Sequence, residues 1–242
     1  MTETIRLAGR DIAYRVVRSP RRRTIALQID HEGLQVRTPQ RTSVHQIRGV
    51  LEDKAGWVVT RLDDWAARPR PEARRFESGE RFPFLGRPLT LEVVPHPTRA
   101  RTQIVSDGGF LRVEIDRHLG SEMRATTVRK GIERWYRREA EADFPDRVGH
   151  FAGLLGRRVT KTIVRDQKRR WGSCDAKGII RLNWRLIGAD ADLIDYVCAH
   201  EAAHLVVTNH SARFWAVVEE IMPDWKARRR RLNETAGEFV PF

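Results

Sequence analysis

Apolar and polar residues alternate along positions 5–36 in the manner of β-strands: Ile5 and Leu7, then Ile12, Tyr14 and Val16, then Ile25, Leu27 and Ile29, then Leu34 and Val36. Successive side chains of a strand point to opposite faces, so each set marks one buried face. Ala8-Gly9-Arg10 and His31-Glu32-Gly33 separate the sets as turns, which predicts two hairpins. After Pro39 the period changes. Ser43 with Gln46 forms a capping-box signature, and Val44, Ile47, Val50, Leu51, Trp57, Val58, Leu62 and Trp65 recur at helical spacing. One helix over about 43–67 is predicted, with its tryptophans serving as packing.

Arg68-Pro69-Arg70-Pro71 cannot continue that helix, because proline lacks the amide donor and restricts the residue before it; the stretch reads as a linker. A second alternating region follows, through Phe82, Phe84, Leu89, Leu91, Val93, Ile104, Leu111, Val113 and Ile115, with turns at Gly86-Arg87-Pro88 and Asp107-Gly108-Gly109. From Ser121 the spacing is helical again. Val128, Ile132, Trp135, Tyr136, Ala140 and Phe144 line one side, Pro145 interrupts, and Val148, Phe151, Leu154 and Leu155 resume to Gly156, which predicts two packed helical pieces. Val159–Trp171 reads as one strand region, Asp175–Gly178 as a turn and Ile179–Trp184 as the returning strand; no internal repeat stands out. The fold class is therefore α+β, with a β-rich region over residues 1–120 and a second domain over residues 121–242.

The last helical segments carry the chemistry. Leu193, Ile194, Val197, Cys198, His200, Glu201, His204 and Leu205 share a broad face, with Asp190 and Asp192 placed to cap the start, so the polar groups point inward. His200 and His204 stand one turn apart and can converge on a single metal ion. Zn²⁺ accepts neutral imidazole nitrogens, and a catalytic site uses three protein ligands plus a water. A metal-free interior would strand Glu201, since a buried unpaired carboxylate is costly.

The helix is expected to end near Thr208-Asn209, with Asn209 in the left-handed conformation and Ser211 capping a next helix through Phe214, Trp215, Val217, Val218 and Ile221. His210 then stands at a fixed reversal as third ligand, six residues after His204, the offset seen in H-E-x-x-H-x-x-G-x-x-H sites, although Val207 stands where that pattern has glycine. Gly172-Ser173 leaves little bulk beside the preceding turn, which admits a substrate backbone.

Composition adds two points. The net charge is +13, divided as +7 over residues 1–120 and +6 over 121–242, and arginine outnumbers lysine 39 to 6. A pI near 10.8 permits binding of nucleic acid, but the even spread shows no basic tail, and compositional bias toward arginine is the favoured account. Two cysteines without a CxxC pair favour a reducing compartment, and no signal core or long apolar run occurs, so a soluble cytoplasmic protein without a membrane segment is expected.

Trp171-Gly172-Ser173-Cys174, Ile180–Leu186, Asp195-Tyr196-Val197, His200–Leu205, Asn209-His210-Ser211, Phe214-Trp215 and Pro223-Asp224-Trp225-Lys226 closely resemble the YgjP-like family of metal-dependent hydrolases, itself related to SprT and WLM-type zincin metallopeptidases. The resemblance implies a minimal zincin core with an HExxH active-site helix behind a small sheet. It implies zinc ligation by His200, His204 and His210 and general-base catalysis by Glu201; Trp171, Gly172 and Ser173 are the candidate substrate-binding residues. A peptide or protein is the expected substrate. The rival readings are a DNA-associated SprT-like protease and a non-catalytic, zinc-stabilised interaction module.

Overall fold

The computed structural model describes residues 2–30, 32–67, 74–96, 102–167, 170–235 and 239 of the chain. The linker expected at Arg68–Pro71 lies outside the described residues. The architecture is mixed α and β, with six helices and three sheets among the described residues. It divides into two compact units, Met1–Glu72 and Ala73–Phe242. That division falls at 72/73 rather than at 120/121, for a reason visible in the core of the second unit. Leu89, Leu91, Leu111, Val113 and Ile115 bury against Val128, Ile132, Tyr136 and Phe144, so the second alternating region shares one core with the helix that follows it.

In the first unit, β1 (Thr2–Leu7) and β2 (Arg10–Ser19) form one hairpin, and β3 (Ala26–Asp30) and β4 (Gly33–Pro39) form another. The two hairpins join through a parallel pairing of β2 with β4, giving the order β1-β2-β4-β3. One face buries Ile5, Leu7, Ile12, Tyr14, Leu34 and Val36. Ile47, Leu51 and Val58 cover it from α1 (Val44–Asp53) and α2 (Ala55–Ala67). The capping box at Ser43 is present: the Gln46 amide donates to the Ser43 hydroxyl at 3.2 Å, and the Ser43 amide to the Gln46 side chain at 2.9 Å. The single helix expected over 43–67 is two, broken at Lys54, where φ is −107° and ψ 15°. Gly56, a poor helix former, stands two residues on, in the first turn of α2.

The second unit opens with the same arrangement. β5 (Arg81–Phe84) pairs with β6 (Arg87–His96), β7 (Gln103–Asp107) with β8 (Phe110–Asp116), and β6 with β8 in parallel, giving β5-β6-β8-β7. Every register matches at a constant offset of 77 residues: Ile5↔Ile12 corresponds to Phe82↔Leu89, Tyr14↔Leu34 to Leu91↔Leu111, and Leu27↔Val36 to Ile104↔Val113. Both first hairpins turn through two left-handed residues, Ala8-Gly9 and Leu85-Gly86, as a two-residue turn of type I′ requires. The chain therefore does contain an internal repeat of topology and register.

A single helix, α3 (Ser121–Leu154), follows β8 and carries Pro145 inside it, so the two pieces expected on either side of the proline are continuous. An interior proline costs about 3 kcal/mol. Phe144 and Val148 are fully buried and Phe151 nearly so, and full burial of such side chains contributes about 1.5–3 kcal/mol each, which outweighs that cost.

The remaining strands also depart from a simple hairpin. β10 (Gly172–Cys174) runs antiparallel to β11 (Ile179–Asn183), whereas β9 (Lys161–Arg165) runs parallel to β11 on its other side. A 3₁₀ turn at Trp184–Gly188 leads to α4 (Ala191–Ala203), then α5 (Ala212–Ile221) and α6 (Trp225–Thr235). α4 buries Leu193, Ile194, Val197, Cys198, Ala199, Ala202 and Ala203. Its N-terminal end is pinned by charge. Arg147 of α3 donates to Asp143 at 2.5 Å and to Asp195 of α4 at 2.6 Å. Arg231 of α6 donates to Asp190 at 2.6 Å and to Asp192 at 2.5 Å. Asp190 occupies the N-cap position without a capping bond, because Arg231 has taken its carboxylate.

Candidate metal centre

His200 and Glu201 lie in the last turn of α4, and His204 is its C-cap. The helix ends there, about four residues short of Thr208. Leu205 and Val206 bond back to Ala202 and Ala203 at 3.0 Å in a tightened turn, and the His204 ring supplies a further partner by donating from Nδ1 to the Val207 carbonyl at 3.0 Å. Asn209 does not adopt a left-handed conformation. Its side chain instead accepts the Ser211 amide at 3.2 Å, and that turn delivers His210 just before α5.

The three imidazoles converge. One nitrogen from each of His200, His204 and His210 lies within 4.8 Å of the others, and the Nε2 atoms of His200 and His210 are 3.0 Å apart. Tetrahedral ligation at about 2.0–2.1 Å would set ligand nitrogens about 3.3 Å apart, close to the 3.0 Å between His200 and His210. The bond from His204 Nδ1 to a carbonyl fixes that tautomer and leaves Nε2 with its lone pair, the arrangement a metal ligand needs. Burial drives the His200 pKa down to about 3, with His204, His210 and Arg229 adding to the effect; burial also lowers that of His204. Both rings are neutral at pH 7. The donor set of three imidazole nitrogens fits zinc.

Phe214 of α5 forms the floor. Fully buried, it stacks on His204 with ring centroids 4.4 Å apart and meets His210 at 4.8 Å and His200 at 4.9 Å. Its apolar spacing marks it in the sequence only as a core residue. Trp215 stands beside it, 5.8 Å from His210 and 5.7 Å from His200.

Glu201 is buried, and its Oε2 has no hydrogen-bond partner among the described residues. Burial pushes its carboxyl up to about 8 against the opposing pull of Arg170. Gly172 lies against it: a Cβ at 172 would fall 2.6 Å from the Glu201 side chain. The glycine thus makes room for the glutamate itself, a constraint that spacing along the chain does not reveal. Trp171 and Ser173 flank Gly172, both half-buried, with the Trp171 ring 5.4 Å from that of Phe239. Tyr196, one helical turn before His200, packs its ring 6.1 Å from the imidazole, and burial pushes its hydroxyl pKa up to about 12, so it stays a donor.

The profile of the YgjP-like family, metallopeptidase domain, matches residues 23–235, and the chain belongs to this family. It is accordingly a hydrolase of metallopeptidase type. Two solved structures are similar over part of the chain. The metallopeptidase zymogen abylysin of Pyrococcus abyssi is 26% identical, covering 38% of this chain and 93% of its own, with a TM-score of 0.35. The zymogen jannalysin of Methanocaldococcus jannaschii is 19% identical, covering 39% and 97%, with a TM-score of 0.35. No curated protein matches the chain. No helix among the described residues is long and apolar enough to cross a membrane.

Proposed function

We propose that this metallopeptidase is zinc-dependent, with His200, His204 and His210 as the ligands, Glu201 as the general base and a peptide or protein as substrate. The observation that carries the proposal is the convergence of three imidazole nitrogens beside a buried carboxylate whose Oε2 has no partner among the described residues. A buried charge without a partner is costly, and a dication next to it supplies that partner. When bound, zinc supplies a Lewis acid that polarises the scissile carbonyl and acidifies water near neutral pH.

The chain's own groups do the rest. Glu201 accepts a proton from the attacking water at its free oxygen and passes it to the leaving amine, the two halves of general acid–base catalysis by one carboxyl. Gly172 lets that carboxylate occupy its position. β10 is the edge of its three-stranded sheet, so an extended peptide can pair with its open backbone, laid across Glu201 with Trp171 and Ser173 alongside. The Tyr196 hydroxyl is an O–H donor on the same helix face as His200, available to the developing oxyanion.

The test is hydrolysis of a mixed peptide library with zinc stoichiometry measured in parallel. Wild type should cleave, and Glu201→Gln should bind one zinc per chain while losing cleavage by at least about a hundredfold. Zinc retained with no cleavage by wild type would instead favour the structural zinc module, and zinc lost on Glu201→Gln would remove the assignment of Glu201 as a base.

A further inference from the structure

α6 carries a run of cations, and most of them are neutralised in place. Lys226 pairs with Glu219 at 3.7 Å, Arg228 with Asp224 at 2.8 Å, and Arg231 with both Asp190 and Asp192. Arg229 has no carboxylate within ion-pair range among the described residues. Its guanidinium carbon lies 4.9 Å over the ring of Trp215, the side chain that also stands beside His200 and His210. Trp215 is itself held, stacked on Trp225 at 4.2 Å and 14°. α6 is tied to α4 by the Arg231 pairs and by Arg228, which donates to the Asp192 carbonyl at 3.0 Å. Arg229 is therefore a cation without a carboxylate partner among the described residues, held one aromatic ring away from the metal centre on a helix that cannot readily drift.

A guanidinium stacked on a tryptophan uses its face for the ring and keeps its N–H edge for a partner. That edge has the fork geometry of a carboxylate, and its charge makes a carboxylate the preferred partner over a neutral amide.

We propose that Arg229, backed by Trp215, is a specificity subsite for a carboxylate of the substrate near the scissile bond. The substrate class is then a peptide carrying an acidic side chain or a free C-terminus close to the cleavage point. This rests on the reading of the site as a zinc peptidase, and it is tested separately from it.

The experiment uses fluorogenic peptides of one length in which a single position, scanned over three residues on each side of the cleavage point, is Glu, Gln or Lys. Each is made with a free and an amidated C-terminus and assayed on the zinc-loaded full chain. Wild type should favour Glu over Lys at one position at least about fivefold in kcat/KM, the upper range for a largely exposed ion pair, and the preference should shrink as salt is raised. Arg229→Glu should reverse it. Arg230→Glu, which changes an adjacent exposed arginine and the net charge equally, should leave it as in wild type. A preference that survives amidation assigns the side-chain carboxylate; one that vanishes assigns the terminus. Equal rates for all three residues with both C-termini, or the same shift in both variants, would overturn the subsite. If no peptide is cleaved, the peptidase reading fails on its own. Anisotropy of the same peptides bound to the zinc-loaded protein then decides the subsite: acidic preference lost in Arg229→Glu supports it, and equal binding rejects it.

Discussion

Gly172 and Glu201 are in contact so close that a methyl group on residue 172 would sit 2.6 Å from both Cγ and Oε1 of the glutamate, a separation that real Cβ atoms do not reach. Glu201 and the edge strand are fitted to each other across that gap. Gly172→Ala should force the carboxylate aside. A displacement of about 1 Å in a catalytic group can cost on the order of a hundredfold in rate, so kcat should fall by about that factor while zinc is retained. Overpacking should also lower stability by about 1–3 kcal/mol, read from denaturant unfolding. Wild-type kcat in this variant would show that Glu201 does not need its present position.

Phe214 touches all three imidazoles from below. Phe214→Ala should cost about 3–5 kcal/mol by opening a cavity. Zinc affinity should drop by roughly tenfold to a hundredfold as the rings lose their support. Phe214→Leu fills much of the space and should recover most of the stability. Chelator competition alongside thermal unfolding separates the two effects; unchanged zinc affinity in Phe214→Ala would show that the histidines are positioned without the ring.

The core of the second unit is built entirely from residues after position 73. A chain beginning at Ala73 should therefore fold cooperatively and bind zinc with the affinity of the full chain. Circular dichroism and zinc titration check this. Loss of cooperative unfolding would mean that the first unit is needed for the second to fold.

Asp175 closes the β10–β11 turn by accepting the Lys177 amide at 2.9 Å, the Ile179 amide at 3.1 Å and the Arg181 guanidinium at 2.9 Å. The Ile179 amide above all, then Arg181, holds its carboxyl below the usual value of 3.8. The folded state thus binds the proton less readily than the unfolded chain. The resulting stability is fully present above pH 3.8 and is lost as the pH falls through the lower folded value. Asp175→Asn should flatten stability against pH in that acidic window and leave the slope near neutrality unchanged. A wild-type NMR titration with the ordinary carboxylate midpoint would refute the turn's role.

Much of this architecture could be read from the chain. Period-two alternation located the strands of both sheets, Ser43 and Gln46 marked a helix start that is present, and the motifs from Trp171 to Lys226 pointed to the family to which the chain belongs. The misses share a physical origin in tertiary packing. The 77-residue repeat escaped notice because register is kept by apolar character rather than identity, as in Ile5 against Phe82 and Tyr14 against Leu91. Pro145 reads as a helix break, but burial of Phe144 and Val148 overrides it. β9 reads as part of a hairpin, yet a parallel strand differs from an antiparallel one only in its partner. At the site, the histidines and the glutamate stand out by spacing. Phe214, Arg229 and the reason for Gly172 do not, because each acts across space on residues distant in sequence.

The most direct measurement is anomalous diffraction at the zinc edge from crystals of the zinc-loaded protein. One peak should lie about 2.0–2.1 Å from a ring nitrogen of each of His200, His204 and His210, with the Glu201 carboxylate beside the remaining open position. A peak that omits any of the three histidines, or one ligated by Glu201 itself with no position left open, would contradict the assignment of this centre as a catalytic zinc site.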